Sequence, residues 1–316
     1  MSRLRRIREW IAPPVPEAGA TAPTLDDVRR QVRHIEVRAR RALRDALAGE
    51  YRTAFRGRGL EFSELQPYSP GDDVRSIDWK ATARLRTPVV RRYVEEREQT
   101  VLILVDVSGS MGYAASGPSV RDRAVEVAGV VGLAAAAAND VVGVAAFATD
   151  VVLAVPPAKG STHVLRILRD LLRLEAGGRT ELARALRYAR RVMRKRGVVI
   201  VISDFVATHP DHVWEPALAQ LSRRHDVVAV CLRDTRETKL VAAAEGALVH
   251  WGGAEREDML LADAGISGTQ QHELTSERGR MLARLRQCGC DAVMIDTDED
   301  WVPALVGLFR QRRNRP

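Results

Sequence analysis

Aromatic residues are scarce in this chain of 316 residues, in which Phe, Trp and Tyr together make up only 5%. Since 46% of the residues are hydrophobic, the core must be built mainly from Val, Leu, Ile and Ala. The chain has three cysteines, Cys231, Cys288 and Cys290, and no further Cys or His completes a zinc-binding spacing around them. This usage argues against a structural zinc site and suits a reducing compartment.

The chain also lacks an apolar run long enough to cross a bilayer, which takes about 20 residues. Its longest nearly uncharged stretch, residues 124–138, contains Glu126. The basic N-terminus is not followed by the apolar segment of a secretory signal. These absences predict a cytoplasmic protein without a transmembrane segment.

Charge is not balanced, because 49 Lys and Arg residues exceed 41 Asp and Glu residues and give a formal net charge of +8. Basic residues cluster in four runs: Arg3–Arg8, Arg29–Arg44, Arg190–Arg196 and Arg310–Arg315. A solvated helix face explains each run, and attraction to acidic partners or anionic surfaces is the alternative. No helix-turn-helix, zinc finger or aromatic-basic platform accompanies them, so charge alone does not predict specific nucleic-acid binding.

Composition divides the chain into three parts. Residues 1–24 are rich in Pro and Ala and predict a flexible lead-in. Residues 25–98 predict a helix over Leu25–Ala48 and then a small β-rich module, because β-prone pieces alternate there with Gly and Pro. Those pieces are Tyr51–Phe55, Leu60–Phe62 and Val89–Val94, with a short helix near Ile77–Arg84. Residues 99–316 form the third part, a large domain with a C-terminal extension.

From residue 100 onward, aliphatic strands alternate with helices. The predicted strands are Val101–Val105, Val141–Phe147, Val151–Val155, Val198–Ser203, Asp226–Leu232 and Ala292–Asp296. The predicted helices are Val120–Ala138, Thr162–Leu174, Glu181–Arg196, His212–Arg223, Gln271–Cys288 and Trp301–Arg312, and residues 233–270 are less regular. This alternation predicts an α/β fold with a doubly wound, mostly parallel sheet of Rossmann-like type.

Two of the predicted strands end in a carboxylate, at Asp106 and Asp204. Ser108 and Ser110 follow the first strand, and Thr180 stands in a glycine-containing loop just ahead of a helix. Because ligands bind at the carboxyl ends of parallel strands, these five side chains are expected to converge. Two carboxylates and three hydroxyls are hard oxygen ligands that suit Mg²⁺. The alternatives are that Thr180 is only a helix N-cap and that the aspartates only form turns.

The segment Asp106-Val107-Ser108-Gly109-Ser110-Met111 resembles the first motif of the metal-ion-dependent adhesion site of von Willebrand factor A domains. Thr180 matches the threonine loop of that family and Asp204 its final aspartate, and the resemblance covers most of residues 99–235. It implies that Ser108, Ser110 and Thr180 ligate Mg²⁺, with Mn²⁺ or Ca²⁺ as alternatives, while Asp106 and Asp204 hold the ion largely through waters. It also implies that an acidic side chain of a protein partner fills the open coordination position.

A second resemblance lies just ahead of this domain. The segments Gly59–Phe62, Tyr68–Arg75 and Ile77–Arg84 are similar to the signature of the bacterial "domain of unknown function 58" family, in which a von Willebrand A-like domain follows directly. Members usually carry Arg two positions before the tyrosine that corresponds to Tyr68, and this chain has Gln66 at that position. The resemblance implies an adaptor role with a MoxR-type AAA+ ATPase or its client.

The signature residues with identifiable chemistry are Gly71, Asp72, Asp73, Arg75, Asp78, Trp79 and Arg84. Residues 70–73 predict a turn in which Asp side chains accept from nearby backbone N–H groups. Arg75, Asp78 and Arg84 are expected to form a buried or half-buried charge network that ties the module to the sheet. Contact with a partner is the alternative role.

Catalysis by a metal-dependent, phosphatase-like hydrolase on a similar sheet is the alternative function. Haloacid-dehalogenase phosphatases need a general-acid Asp two positions after the first, where this chain has Ser108. The chain lacks a Gly-x-Ser-x-Gly elbow and a Gly-x-x-x-x-Gly-Lys-Ser/Thr phosphate loop. The histidines near the predicted sheet edge or helix ends have no evident Ser or Cys partner: His163, His209, His212 and His225. A binding module rather than an enzyme is therefore predicted.

Overall fold

The computed structural model describes residues 24–43, 47–55, 60–95, 98–112, 118–205, 214–234 and 268–313. Most of the predicted lead-in and most of residues 233–270 lie outside these ranges. His209 and His212 lie outside them as well.

The strands are β1 (Leu60–Pro67), β2 (Val89–Glu95), β3 (Thr100–Asp106), β4 (Val141–Phe147), β5 (Val151–Ala158), β6 (Val198–Ser203), β7 (Asp226–Arg233) and β8 (Asp291–Asp296). Six of them form the central sheet in the order β5-β4-β3-β6-β7-β8. Strand β5 pairs antiparallel with β4, and every other pairing in this sheet is parallel. The predicted α/β fold with a mostly parallel sheet is confirmed.

The helices are α1 (Leu25–Ala42), α2 (Ala48–Ala54), α3 (Trp79–Leu85), α4 (Val120–Ala137), α5 (Ser161–Leu172), α6 (Leu182–Val192), α7 (Glu215–Ser222), α8 (Gly268–Gln287) and α9 (Val302–Arg313). None of those in the described ranges is long and apolar enough to cross a bilayer. Short 3-10 turns cover Val74–Ser76 and Gly109–Gly112.

Both faces of the sheet are covered by helices, which explains why its central strands are continuous aliphatic runs. Along β3, Val101, Ile103 and Val105 pack into a core shared with α1, α4, α5 and α9. Leu102 and Leu104 point to the opposite face and pack against α6, α7 and α8. The alternation of side chains along a strand thus produces two cores from one sheet.

Helix α4 is apolar nearly all round, which is typical of a fully buried helix. Ser119 begins it with a capping box, in which its hydroxyl accepts from Asp122 N–H and the Asp122 carboxylate accepts from Ser119 N–H. Arg123 and Glu126 are charged residues buried on this helix, and they pair with each other at 2.6 Å. Arg38 of α1 also contacts Glu126, at 2.9 Å.

The prediction of a β-prone piece at Tyr51–Phe55 is wrong, because Ala48–Ala54 forms α2. Helical spacing brings the rings of Tyr51 and Phe55 within 4.8 Å of each other, and both rings pack against Phe309 of α9. The buried Tyr51 hydroxyl donates to Asp140 at 3.0 Å. This aromatic cluster outweighs the β-propensity of its members. The first predicted helix is α-helical to Ala42, and Leu43 and Leu47 also have helical backbone angles.

Strands β1 and β2 pair antiparallel as a separate two-stranded sheet, and α3 lies in the connection between them. An isolated bridge joins Ile77 to Val90. The Thr82 hydroxyl accepts from Val89 N–H at 3.1 Å and so fixes α3 to the second strand. The predicted strands and short helix of this segment are confirmed, while the three-part division of the chain stays a prediction.

Candidate functional site

The parallel register of β3 and β6 brings their last residues side by side. Val105 pairs with Ile202, so Asp106 and Ser203 come next on adjacent strands. The Ser203 hydroxyl donates to Asp106 Oδ2 at 2.6 Å. Asp204 follows directly and is also buried. The two strand-end carboxylates therefore lie at one edge of the sheet, as the sequence predicts.

Asp106 is completely buried and accepts two hydrogen bonds, one from Ser203 and one from Ser108 N–H at 2.9 Å. Burial, followed by repulsion from Asp204, raises the pKa of Asp106 to about 7, although the hydrogen bonds from Ser203 and Ser108 act in the opposite direction. Asp106 makes no ion pair with any described residue. A buried carboxylate pair of this kind is stabilised by a cation between its members.

Three hydroxyls lie together beside this pair. Thr180 Oγ1 donates to Ser108 Oγ at 2.8 Å, and the hydroxyls of Ser108 and Ser110 are 3.2 Å apart. Ser108 and Thr180 are buried, and Ser110 is half-buried. The structure thus brings Ser108, Ser110 and Thr180 together, although Thr180 is far from the other two in sequence.

Backbone hydrogen bonds fix the loop after β3 to the loop that carries Thr180. Gly109 N–H donates to the Gly178 carbonyl at 2.9 Å, and Gly177 N–H donates to the Val107 carbonyl at 3.0 Å. A Cβ at Gly109 would lie 3.3 Å from that Gly178 carbonyl oxygen, so the two loops can approach this closely because Gly109 has no side chain. Gly178 has a φ of +75°, in the left-handed region that favours glycine.

Thr180 does not serve as the N-cap of α6. The cap position is Glu181, whose side chain makes no capping hydrogen bond, and Glu181 N–H donates to the Ala148 carbonyl at 3.0 Å. The Thr180 hydroxyl instead points to Ser108. The alternative prediction that Thr180 is only a helix cap is therefore wrong.

Sequence reasoning missed Ser203 and Phe205. Ser203 Oγ accepts from Phe205 N–H at 3.0 Å while its own proton goes to Asp106. Phe205 has a φ of +57°, which is uncommon for a bulky residue, and its buried ring packs edge-on against Trp214 with the centroids 5.5 Å apart. The pairing of Ser203 with Asp106 follows from the strand register, which a prediction of strands alone does not supply.

The donor set of the site is two carboxylates and three hydroxyls. No group of three or more His, Cys, Asp and Glu side chains with metal-binding geometry occurs among the described residues. His163 lies elsewhere, with Nε2 3.0 Å from the Val142 carbonyl, and Cys231 Sγ contacts the Asp204 carbonyl at 3.6 Å. Burial raises the pKa of the Cys231 thiol to about 12, so it is not a thiolate ligand at neutral pH. Hard oxygens with two formal charges fit Mg²⁺.

The aspartates of the signature segment form turns and caps. The Asp72 carboxylate accepts from Ser69 N–H at 3.0 Å, and the Asp73 carboxylate accepts from Arg75 N–H at 2.9 Å. Asp78 caps α3 by accepting from the N–H groups of Lys80 and Ala81. Gly71 has a φ of +112° in the turn before them.

The basic and aromatic residues of the signature are on the surface. Arg75 and Arg84 are exposed and make no ion pair with a described residue, so the expected buried network with Asp78 does not form. Trp79 is 67% exposed at the start of α3. These three side chains are therefore accessible to a partner.

Comparisons with known proteins place this architecture among relatives. The chain is 29% identical over 286 residues to an uncharacterised protein of Mycobacterium tuberculosis, covering 89% of each chain. It is similar to an aerotolerance-related membrane protein from Bacteroides fragilis, with 17% identity, a TM-score of 0.43 and coverage of 68% of this chain and 98% of that one. It is also similar to a von Willebrand factor type A structure from Catenulispora acidiphila, with 15% identity, a TM-score of 0.38 and coverage of 71% and 44%.

A family model shows the relationship, because it matches more than half of the chain, including the second and third blocks of the signature and the whole candidate site. The resemblance of the signature segment to this family is thereby confirmed. The chain belongs to the family described as proteins of unknown function DUF58, whose model matches residues 64–266.

Proposed function

We propose that this protein is a non-catalytic, Mg²⁺-dependent protein-interaction module of the cytoplasm. Ser108, Ser110 and Thr180 would ligate the ion directly, and Asp106 and Asp204 would hold it through waters. The observation that carries the proposal is the single buried cluster of two carboxylates and three hydroxyls at the carboxyl edge of the sheet.

The charges of the cluster support binding of an acidic group. The proposed direct ligands are three neutral hydroxyls and the two carboxylates act through waters, so the bound ion would keep an attraction for a further hard, anionic ligand. An Asp or Glu side chain of a partner supplies such a ligand. When bound, the ion would contribute a positive charge and an open coordination position, while the chain's own residues orient and bury it.

The chemistry of the cluster supports binding rather than catalysis. Ser108 occupies the position two residues after Asp106, where a phosphatase of the kind considered above needs a carboxylic acid as proton donor. Three histidines have described side chains, His34, His163 and His225, and none of them is hydrogen-bonded to the five site residues. None of these three histidines therefore supplies a proton-transfer group to the cluster.

The partner is proposed from family resemblance. The signature segment is similar to that of proteins thought to act with MoxR-type AAA+ ATPases, which makes such an ATPase or its client the first candidate. The side chains of Arg75, Trp79 and Arg84 are exposed, and they offer a second contact to the partner in addition to the metal site.

Calorimetric titration with Mg²⁺ tests the metal site. The wild-type protein and Asp150→Asn, an exposed acid in the turn between β4 and β5, should bind with equal affinity. Asp106→Asn keeps the shape of the side chain and removes its charge, so binding should become undetectable. Equal affinity of Asp106→Asn and wild type would overturn the proposed site.

Capture of partners from native lysate tests the interaction. Tagged wild-type protein should retain an AAA+ ATPase in Mg²⁺ and release it when EDTA is added, and Asp106→Asn should retain none. If EDTA did not release the ATPase, the contact would lie elsewhere on the protein surface. If neither wild type nor variant retained an ATPase, the adaptor role would lose its support.

A further inference from the structure

Helix α6 and the loop after it carry an unusual concentration of positive charge. Between Leu182 and Ser203 the sequence contains seven Arg and Lys residues and no Asp or Glu. Nothing in the metal site requires this, because Thr180 lies before the helix and the cations follow it. The concentration therefore calls for a separate explanation.

Packing determines which side of α6 presents these charges. The apolar side chains Leu182, Ala185, Leu186 and Ala189 are buried against the sheet. The cations of the helix are on its other side and are exposed, as are those of the following loop. Val192, which is 44% exposed, lies among them.

The C-terminal end of α7 extends the same surface. The guanidinium of Arg224 donates to the Arg194 carbonyl, and that of Arg190 donates to the side-chain oxygen of Gln220. We define the α6 basic surface as the exposed cations joined in this way: Arg187, Arg190, Arg191, Arg194, Lys195, Arg196, Arg223 and Arg224.

No member of the α6 basic surface makes an ion pair with a described residue. Other arginines of the chain are compensated: Arg312 pairs with Asp226 and Asp291, and Arg310 pairs with Glu50. Two members of the surface also affect a buried side chain. Burial is the largest cause that lowers the pKa of His225, and the positive charges of Arg224 and Arg196 lower it further.

We propose that the α6 basic surface docks this protein on an anionic phospholipid bilayer. The surface consists of one exposed side of α6, the loop that follows it and the C-terminal end of α7. Arginine binds phosphate groups in a bidentate manner, and clustered cations are attracted to an anionic leaflet. Seven of the eight members are arginines.

A lipid surface fits these residues better than a nucleic acid. Tyr188 is the one aromatic residue in the sequence from Leu182 to Gly197, and it is half-buried with the Arg191 guanidinium 5.7 Å from its ring centroid. No platform for stacking of bases is therefore formed in this segment. The exposed Val192 instead suits the apolar boundary below the lipid headgroups.

The α6 basic surface and the candidate metal site lie toward opposite ends of α6. The helix starts next to Thr180 and runs for 11 residues, which is about 16 Å at the usual rise per residue. None of the five residues of the candidate metal site belongs to the basic surface. The two surfaces can therefore be occupied together, and the docking does not depend on the proposed metal-dependent function.

Co-sedimentation of the full chain with vesicles tests the proposal. Vesicles of phosphatidylglycerol and phosphatidylcholine are compared with pure phosphatidylcholine in buffer containing EDTA, at low and at physiological salt. We expect at least roughly tenfold stronger partitioning to the anionic vesicles, decreasing as salt rises. Equal partitioning to both kinds of vesicle would overturn the proposal.

Two matched variants locate the contact. The first replaces Arg187, Arg190, Arg191 and Arg194 with Gln. The second makes the same change in net charge on α1, with Gln at Arg29, Arg30, Arg33 and Arg41, which are also exposed. The α6 variant should lose at least roughly tenfold in partitioning and the α1 variant less than about twofold. Equal losses would attribute binding to net charge and would overturn the assignment to α6.

Two controls separate the remaining outcomes. Lys at the same four α6 positions retains the charge and should retain most of the binding, which distinguishes loss of charge from loss of fold. Asp106→Asn should bind vesicles as the wild type does, because it changes only the proposed metal site. Binding of duplex DNA at physiological salt, without partitioning to vesicles, would identify the surface as a nucleic-acid contact and overturn lipid docking.

Discussion

The hydroxyl of Ser203 donates to the carboxylate of Asp106 at 2.6 Å across two neighbouring parallel strands. It also accepts from Phe205 N–H, so its orientation is fixed from both sides. The hydroxyl thus holds one carboxylate oxygen of Asp106, while Ser108 N–H holds the other. Asp106 is preorganised by groups that would not themselves touch the metal.

Ser203→Ala is therefore expected to weaken Mg²⁺ binding by about tenfold, since outer-shell hydrogen bonds of this kind contribute 10 to 100-fold to metal affinity. Titration calorimetry measures the change. Ser222→Ala is the matched control, because it removes a hydroxyl that donates to the Leu218 carbonyl on α7. The control should bind Mg²⁺ as the wild type does, and an equal loss of affinity in both variants would contradict the role given to Ser203.

The buried pair on α4 gives a prediction for stability. Glu126 is 9% exposed and lies between Arg123 and Arg38. Glu126→Gln leaves Arg123 buried without its carboxylate, and the free energy of unfolding should fall by about 3 kcal/mol. The side chain of Asp300, the other partner of Arg38, is 68% exposed. Asp300→Asn should therefore lower the free energy of unfolding by less than about 1 kcal/mol. Urea denaturation measures the free energy of unfolding of both variants. Similar losses of stability would mean that the contribution of the Arg123–Glu126 pair does not depend on its burial.

His225 gives a prediction for the dependence of stability on pH. The side chain is buried, and neither ring nitrogen has a hydrogen-bond partner among the described residues. Burial and the charges of Arg224 and Arg196 lower its pKa below 6.5 in the folded state. The unfolded chain therefore takes up a proton first as the pH falls below 6.5, so the folded state loses stability down to the lowered pKa.

His225→Leu removes this contribution. The free energy of unfolding of wild type should fall relative to that of the variant as the pH decreases from about 7 to about 5.5, because only the wild type has this titration. Above pH 7 the difference between the two proteins should be constant. Parallel curves over the whole range would show that His225 is protonated equally in both states.

The sequence predicted the sheet and the convergence of the five oxygen-bearing side chains because both depend on local patterns. Aliphatic runs that end in Asp106 and Asp204 identify buried parallel strands and their functional ends without knowledge of tertiary contacts. The role of Ser203 depends on the register between β3 and β6, which is set by packing of the whole sheet. No local pattern contains that information.

The end of α6 shows the same limit. The basic run continues to Arg196, and charge with helix propensity predicted a helix that long. The helix ends at Val192 because Met193 is extended and buried. At the start of β6, Gly197 lies so close to the Thr100 carbonyl that a Cβ there would collide with it. Tertiary packing, rather than propensity, ends the helix.

Adjacent glycines in the loop before Thr180 offer the sharpest test of how the site is built. Gly178 has a φ of +75°, and a Cβ there would lie 3.1 Å from Thr149 Oγ1. Gly178→Ala should therefore destabilise the fold by about 1 to 2 kcal/mol through the left-handed backbone. It should also lower Mg²⁺ affinity, because the Gly178 carbonyl accepts from Gly109 N–H and so connects the two loops of the site.

Gly177→Ala is the matched control for that substitution. Gly177 is not among the residues with positive φ, and nothing lies within 4 Å of a Cβ built on it. Stability and Mg²⁺ affinity of this variant should stay close to those of wild type. Thermal unfolding and titration calorimetry measure both quantities on the same samples. If Gly178→Ala lost stability but kept its full affinity, the loop before Thr180 would not position a ligand, and Thr180 would leave the proposed set.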